Sequence, residues 1–189
     1  MENKTDYDVL LAILKKRLNE KRYYHSLCVA DEAKRLAVKY GADPEKAYLA
    51  GLLHDITKNA PDEEHLKIFK DFGIILSDVE KNAKKLWHAM SGAAYAEYIL
   101  GINDPEIIDA IRYHTTAKAD MSLLAKILYL ADFTSADRDY EDVDVIREYV
   151  DISLEKAFIY ALQYSIKDLV DLKKAVHIDT VAAYNQAVL

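Results

Sequence analysis

Residues 121–133 read "MSLLAKILYLADF". A helix formed by this stretch would be apolar on nearly every face, and such a helix belongs at the centre of a fold. One acidic residue, Asp132, interrupts it. A carboxylate buried there is costly unless it meets a cation or good hydrogen-bond donors. The stretch that sets the middle of the fold therefore also raises the question of what Asp132 faces.

Outward from this segment, helical spacing dominates. Leu10, Leu11, Leu14 and Leu18 form one stripe over residues 7–18. Tyr24, Leu27, Cys28, Leu36, Ala37 and Tyr40 form another over 23–40, with Gly41 as a C-terminal cap. "DPEKAYLAGLLHDI" opens with Asp43 as N-cap and Pro44 at the first helical position, and "DPEIIDAIRYH" repeats that start at Asp104 and Pro105. A helix is predicted over 62–71, ended by Gly73, and the small-residue segment "WHAMSGAAYAEYIL" is closed by Gly101. From about 152 to 175, Leu154, Phe158, Ala161, Leu162, Leu169 and Leu172 predict one long amphipathic C-terminal helix. Five glycines and three prolines leave little material for hairpins. The expected class is all-α, one domain over residues 1–189, with its chemistry-bearing motifs between about 20 and 150.

A chain of 189 residues that is 51% hydrophobic can bury a sizeable core. Its formal net charge of −7 is ill suited to nucleic acid polymers, which select basic faces. A small anion would need positive groups or metal ions gathered in one cleft. The single cysteine, Cys28, cannot form an internal disulfide and sits on an apolar stripe, where packing explains it. The N-terminal "MENKTDYDVLLAILKK" has charge on both sides of a short apolar run, so neither a signal peptide nor a membrane span is expected there, and a cytoplasmic protein is.

The histidines carry the functional reading. His25 lies in the first turns of its helix. "AGLLHDITKNAP", residues 50–61, ends a buried run on His54 and Asp55, with Lys58 three positions on. His88 begins the small-residue helix and His114 ends the helix after it. Imidazole and carboxylate are both metal ligands, and helix ends can converge on one cleft. A lone helical histidine is ordinarily a surface or satisfied core residue, and an aspartate in an apolar helix often belongs to a cap or a buried network. The combination of four histidines and two aspartates at helix ends and starts opens a metal site as one reading beside those, and periodicity alone goes no further. His65, in the charged "DEEHLKIFKDF", is expected in solvent, and His177, near the end of the C-terminal helix, at the surface or an interface.

The order His25, His54-Asp55, His88, His114, Asp132 resembles the dinuclear H…HD…H…H…D form of the HD-domain superfamily of metal-dependent phosphohydrolases. More narrowly, "HDITK", "HAMSGAAYA", "AIRYHTT", "MSLLAKILYLADF" and Arg138 are similar to the YqeK family. The resemblance implies an HD-type helical bundle that hydrolyses dinucleoside tetraphosphates symmetrically, diadenosine tetraphosphate and water giving two ADP through a metal-activated bridging hydroxide. It implies a centre of two metal ions, with iron expected and manganese, cobalt or zinc acceptable to the same ligands. His25, His54, Asp55 and Asp132 would hold one ion; His88, His114 and the second oxygen of Asp55 would hold the other.

Lys58, on the same side of its turn as Asp55, and Arg138, whose fork suits a phosphate, are the further catalytic candidates beside Asp55. Arg112 and Lys118 read as surface charge. Tyr24 and Tyr113 adjoin the ligands, where they could stack a base or fill the core. Two places depart from the family pattern: Ala117 stands where glycine is frequent, and Ser135-Ala136 where Glu-Pro is frequent. Both bear on nucleotide preference more than on hydrolysis. Three other readings keep the fold: an HD hydrolase of a different nucleotide or phosphate ester, a di-iron oxygenase, or a non-catalytic signalling module. The last predicts gaps in the ligand set that this sequence does not have. The expected partner is a nucleotide polyphosphate substrate, with a homodimer through the apolar C-terminal helix left open.

Overall fold

Side-chain caps set where the helices begin. The computed structural model describes residues 6–189. Helix α1 (Tyr7–Arg17) starts at Asp6, α2 (Glu20–Tyr40) at Asn19 and α3 (Pro44–Leu53) at Asp43, whose carboxylate accepts from the backbone of Glu45 and Lys46. Each cap satisfies an amide that would otherwise lack a partner. Helices α4 (Asp62–Asp71), α5 (Asp78–Asn82) and α6 (Trp87–Ala94) follow. A π-helical turn over Tyr95–Ile99 continues α6 before Gly101 stops it at φ +71°. Helix α7 (Pro105–Tyr113) has the same Asp-Pro start as α3, at Asp104. Helices α8 (Leu123–Thr134), α9 (Val143–Ile152), α10 (Leu154–Asp171) and α11 (Ile178–Val188) complete an all-α chain with no strand among the described residues.

Helix α8 lies at the centre, as its composition requires. Leu124, Ile127, Leu128, Tyr129 and Leu130 are buried, and the helix packs against α2, α3, α7, α9 and α10. Helix α3 lies almost backbone to backbone on α2. A Cβ added at Gly51 would come 2.5 Å from Ala30 Cα, closer than any real contact, so only glycine lets the two helices meet there. That approach fixes the end of α3, and with it His54 and Asp55, beside the face of α2 that carries His25.

The helix expected over about 152–175 is present as α10, Leu154–Asp171, while α9 before it and α11 after it were not singled out in the sequence. Extended Ser153 (φ −160°) separates α9 from α10, and its hydroxyl accepts from Lys156 to cap the new helix. Helix α10 stops before Lys173, which sits in the left-handed region at φ +53°. Neither boundary of α10 is marked by glycine or proline, so the apolar spacing places its ends only to within a turn. The N-terminal reading of a chain start without a leader or span falls partly on residues 1–5, which lie outside the described residues. No helix among the described residues is long and apolar enough to cross a membrane.

Candidate metal centre

Four helices and one turn deliver the six predicted ligands to one place. His25 comes from α2, His88 from α6 and Asp132 from α8, while His114 follows the last residue of α7. His54 and Asp55 begin the turn that leaves α3. His54 and Asp55 are 0% and 1% exposed, so this is the interior of the protein, not a surface cluster. The side chains group as His25, His54 and Asp55; as His54, His114 and Asp132; and as Asp55, His88 and His114, with the donor atoms of each group within 4.8 Å of one another.

The tautomers follow from what stands behind the rings. His54 Nδ1 donates to the Gly51 carbonyl at 2.7 Å, and His114 Nδ1 to the Ile111 carbonyl at 2.7 Å. A carbonyl only accepts, so both protons are on Nδ1 and both Nε2 lone pairs point into the cluster. His25 Nδ1 donates to a carboxylate, Asp137, at 2.8 Å, and its Nε2 is 2.9 Å from Asp132 Oδ1. His88 Nε2 is 3.1 Å from both Asp55 Oδ1 and His114 Nε2. Two buried atoms at the centre, His54 Nε2 and Asp55 Oδ1, have no hydrogen-bond partner. Buried polar atoms are nearly always satisfied, and unsatisfied lone-pair atoms on a histidine and a carboxylate are what a cation would fit.

Asp55 stands between two halves of the cluster. Its Oδ2 is 3.6 Å from His54 Nε2, on the side of His25 and Asp132. Its Oδ1 faces His88, and His114 at 3.8 Å. Burial alone would raise the Asp55 carboxyl, but the neighbouring imidazoles of His54, His114 and His88 together with Lys58 hold it well below the usual carboxylate range. The Asp132 carboxyl is likewise held low against burial, by His25, Arg138 and His54. Burial pushes His54 down to about 3 and His88 to about 4, so both rings are neutral at neutral pH. Ionised carboxylates and neutral imidazoles are the protonation states that bind metal.

Three cations ring the cluster. Lys58 Nζ is 3.4 Å from Asp55 Oδ1 and 3.0 Å from His88 Nε2, on the same side of its turn as the spacing predicts. Arg138 reaches back to Asp132, its Nε donating to the carbonyl at 2.6 Å and Nη2 to the carboxylate. The third, Arg22, was not singled out in the sequence. Its Nη1 is 3.1 Å from Asp55 Oδ2. It precedes His25 by three residues, the spacing that puts two side chains on one helix face, and that was the available signal. Arg112 pairs with Glu80 at 2.8 Å and Lys118 with Asp109 at 2.7 Å, so both have carboxylate partners outside the cluster. Tyr24 is exposed, and the Tyr113 ring lies under Arg112 and Lys118.

Two histidine readings are corrected. His65 is buried, with Nδ1 2.7 Å from the Ser91 hydroxyl. His177 is also buried; it caps α11 by accepting from the Asp179 amide, and its Nε2 lies 3.5 Å from Glu80.

With this geometry in view, the comparisons with known proteins fall into one pattern. The HD domain family matches residues 22–137, a span that includes all six clustered side chains. A symmetrical bis(5'-nucleosyl)-tetraphosphatase of Bacillus subtilis is 35% identical over 93% of this chain and 94% of its own length. The protein of the same name from Halalkalibacterium halodurans is 36% identical over 95% of each. A crystal structure from Clostridium acetobutylicum, described as a predicted HD superfamily hydrolase involved in NAD metabolism, superposes with a TM-score of 0.94 at 38% identity over 98% of each chain.

Proposed function

The chain belongs to the HD domain family, and we propose that it is a metal-dependent hydrolase that splits dinucleoside tetraphosphates symmetrically, diadenosine tetraphosphate and water giving two ADP. The observation that carries this reading is the position of Asp55, one carboxylate oxygen toward each half of a buried histidine cluster that three cations surround. The activity named for two near-full-length relatives supports the substrate.

His25, His54, Asp132 and Asp55 Oδ2 would hold one ion, and His88, His114 and Asp55 Oδ1 the other. When bound, such a pair of ions supplies a nucleophilic water at neutral pH and neutralises charge on the phosphoryl oxygens. Iron, manganese, cobalt and zinc all suit the donor set, and iron is the assignment carried from the family resemblance. The remaining tasks fall to the protein. The Gly51 and Ile111 carbonyls hold His54 and His114 in the tautomer that keeps Nε2 unprotonated. Lys58, Arg22 and Arg138 bind and orient the polyphosphate, with the arginines offering paired donors to phosphate oxygens. Attack at an inner phosphorus breaks its bond to the bridging oxygen at the middle of the chain, and that oxygen leaves on the second ADP. In a chain of net charge −7, this local cationic ring is what lets a polyanion approach.

Chromatographic analysis of products from diadenosine tetraphosphate, with and without added iron or manganese, tests the proposal. ADP as sole product, formed only with metal, is expected. AMP plus ATP, or turnover indifferent to metal, would contradict it.

A further inference from the structure

Three of the clustered histidines donate from Nδ1 to an oxygen, and they are not supported alike. His54 and His114 each lean on a neutral carbonyl three residues back in their own helix. His25 leans on the carboxylate of Asp137, 112 residues away in sequence, at 2.8 Å. That carboxylate is itself held. The Ser135 hydroxyl, fully buried, donates to Asp137 Oδ1 at 2.8 Å. The loop carrying both residues is clamped by Arg147, whose guanidinium donates to the carbonyls of Thr134, Ser135 and Arg138. Asp137 is thus placed by a built loop rather than resting against His25 from solvent.

We propose that Asp137 is a positioning residue for His25, and that it makes the half of the centre containing His25, His54 and Asp132 the tighter of the two metal sites. A carboxylate behind an imidazole fixes the ring, fixes its tautomer and makes the opposite nitrogen a stronger donor than a carbonyl does. Among the described residues the half formed by His88 and His114 has no carboxylate behind a ring: His114 Nδ1 has a carbonyl, and the contact at His88 Nδ1 is with Lys58, at 3.4 Å. The inference rests on the two-ion reading above and adds an order of affinity within it. Ser135, one of the departures from the family pattern, acquires a task here: its hydroxyl orients the supporting carboxylate.

The test is a titration of cobalt(II) alone into metal-free protein against a competing chelator, read by visible absorption, with no substrate present. Wild type should fill in two steps. Asp137→Ala should weaken the tighter step by about 10–100-fold and shift its absorption, leaving the weaker step unchanged. Asp137→Asn keeps the shape and one acceptor oxygen, and should weaken the same step less; it carries the test if the alanine variant fails to fold. His25→Ala should abolish that same step and His88→Ala the other. Wild-type affinity at both steps in the Asp137 variants, or equal weakening of both, overturns the role of Asp137. A wild-type protein that takes up a single ion overturns the two-ion reading, and the inference with it, so the two failures are told apart.

Discussion

Two buried histidine networks lie back to back in this protein, and they differ in what their histidines meet. In the first, His25, His54, His88 and His114 converge on Asp55 and Asp132 and leave unsatisfied atoms facing inward. In the second, His65 meets a hydroxyl and two aromatic rings, those of Phe69 and Trp87, rather than a carboxylate. Its Nδ1 contacts Ser91, whose hydroxyl donates to the Trp87 carbonyl at 2.9 Å, and the Thr57 hydroxyl, 2.8 Å from that of Ser91, donates to the His88 carbonyl at 2.9 Å. Burial lowers the pKa of His65 as it does that of His54 and His88. Neither burial nor a lowered pKa therefore marks a functional histidine here. Carboxylates and converging lone pairs mark the candidate metal centre, whereas hydroxyls and carbonyls close the second network on itself and make it a brace between α4, α6 and the turn carrying Asp55.

The comparison predicts opposite phenotypes for the two networks. Asp55→Ala or His54→Ala should lose bound metal and reduce hydrolysis by more than about 10³-fold while the protein stays folded, since residues acting as one catalytic unit fail together. Normal turnover by a folded Asp55→Ala protein would break the comparison outright. Next in size, Lys58→Ala, Arg22→Ala and Arg138→Ala should each lower kcat/KM by about 10–100-fold, the worth of a charge-assisted hydrogen bond, with metal content intact. Metal loss in these variants would mean that they hold Asp55 and Asp132 in place rather than the substrate. His65→Ala should do the reverse, costing about 2 kcal/mol of stability through a lost hydrogen bond and a cavity. Its turnover per folded molecule at low temperature should match wild type, and a large drop in kcat would join the two networks into one.

Acid should stress both networks. Between about 3 for His54, or 4 for His88, and the ordinary histidine value of 6.5, the unfolded chain takes up protons that the folded chain refuses. Stability therefore rises with pH across that window and is lost as pH falls. Asp55 and Asp132, also held low, act in the same direction at lower pH. The melting temperature of metal-free protein should drop by several degrees from about pH 7 to about pH 5, and a flat profile would contradict the buried neutral rings. The smallest effect is expected at Ala117, held at φ +54° yet fully buried. Ala117→Gly relieves a left-handed conformation but loses a packed methyl and gains chain entropy on unfolding. Stability should change by less than about 1 kcal/mol, as thermal unfolding would show.

The six clustered side chains were legible as a possible metal site because each sits at or near a helix end, and the resemblance to the HD family made them an ordered ligand set; the Asp-Pro starts at Asp43 and Asp104 marked the helices that deliver His54 and His114. The supporting residues were harder to find. Asp137 lies in an acidic loop, "ADRDYED", where nothing local separates a carboxylate behind a histidine from one in water. Arg22 was detectable from its spacing to His25. His65 was misread because its helix is highly charged, although it shares a stripe with Ile68 and Phe69, both buried. The C-terminal helix was legible from its apolar period, but its ends at Ser153 and before Lys173 depend on a single cap and a single left-handed residue, and α9 and α11 were not singled out.

The central claim is that Asp55 joins two half-sites, each holding one ion needed for hydrolysis. Metal-free protein titrated with manganese while hydrolysis of diadenosine tetraphosphate is followed tests it most directly. Activity should rise to a plateau at two equivalents of bound metal per chain; a plateau at one equivalent, or activity without metal, would contradict it.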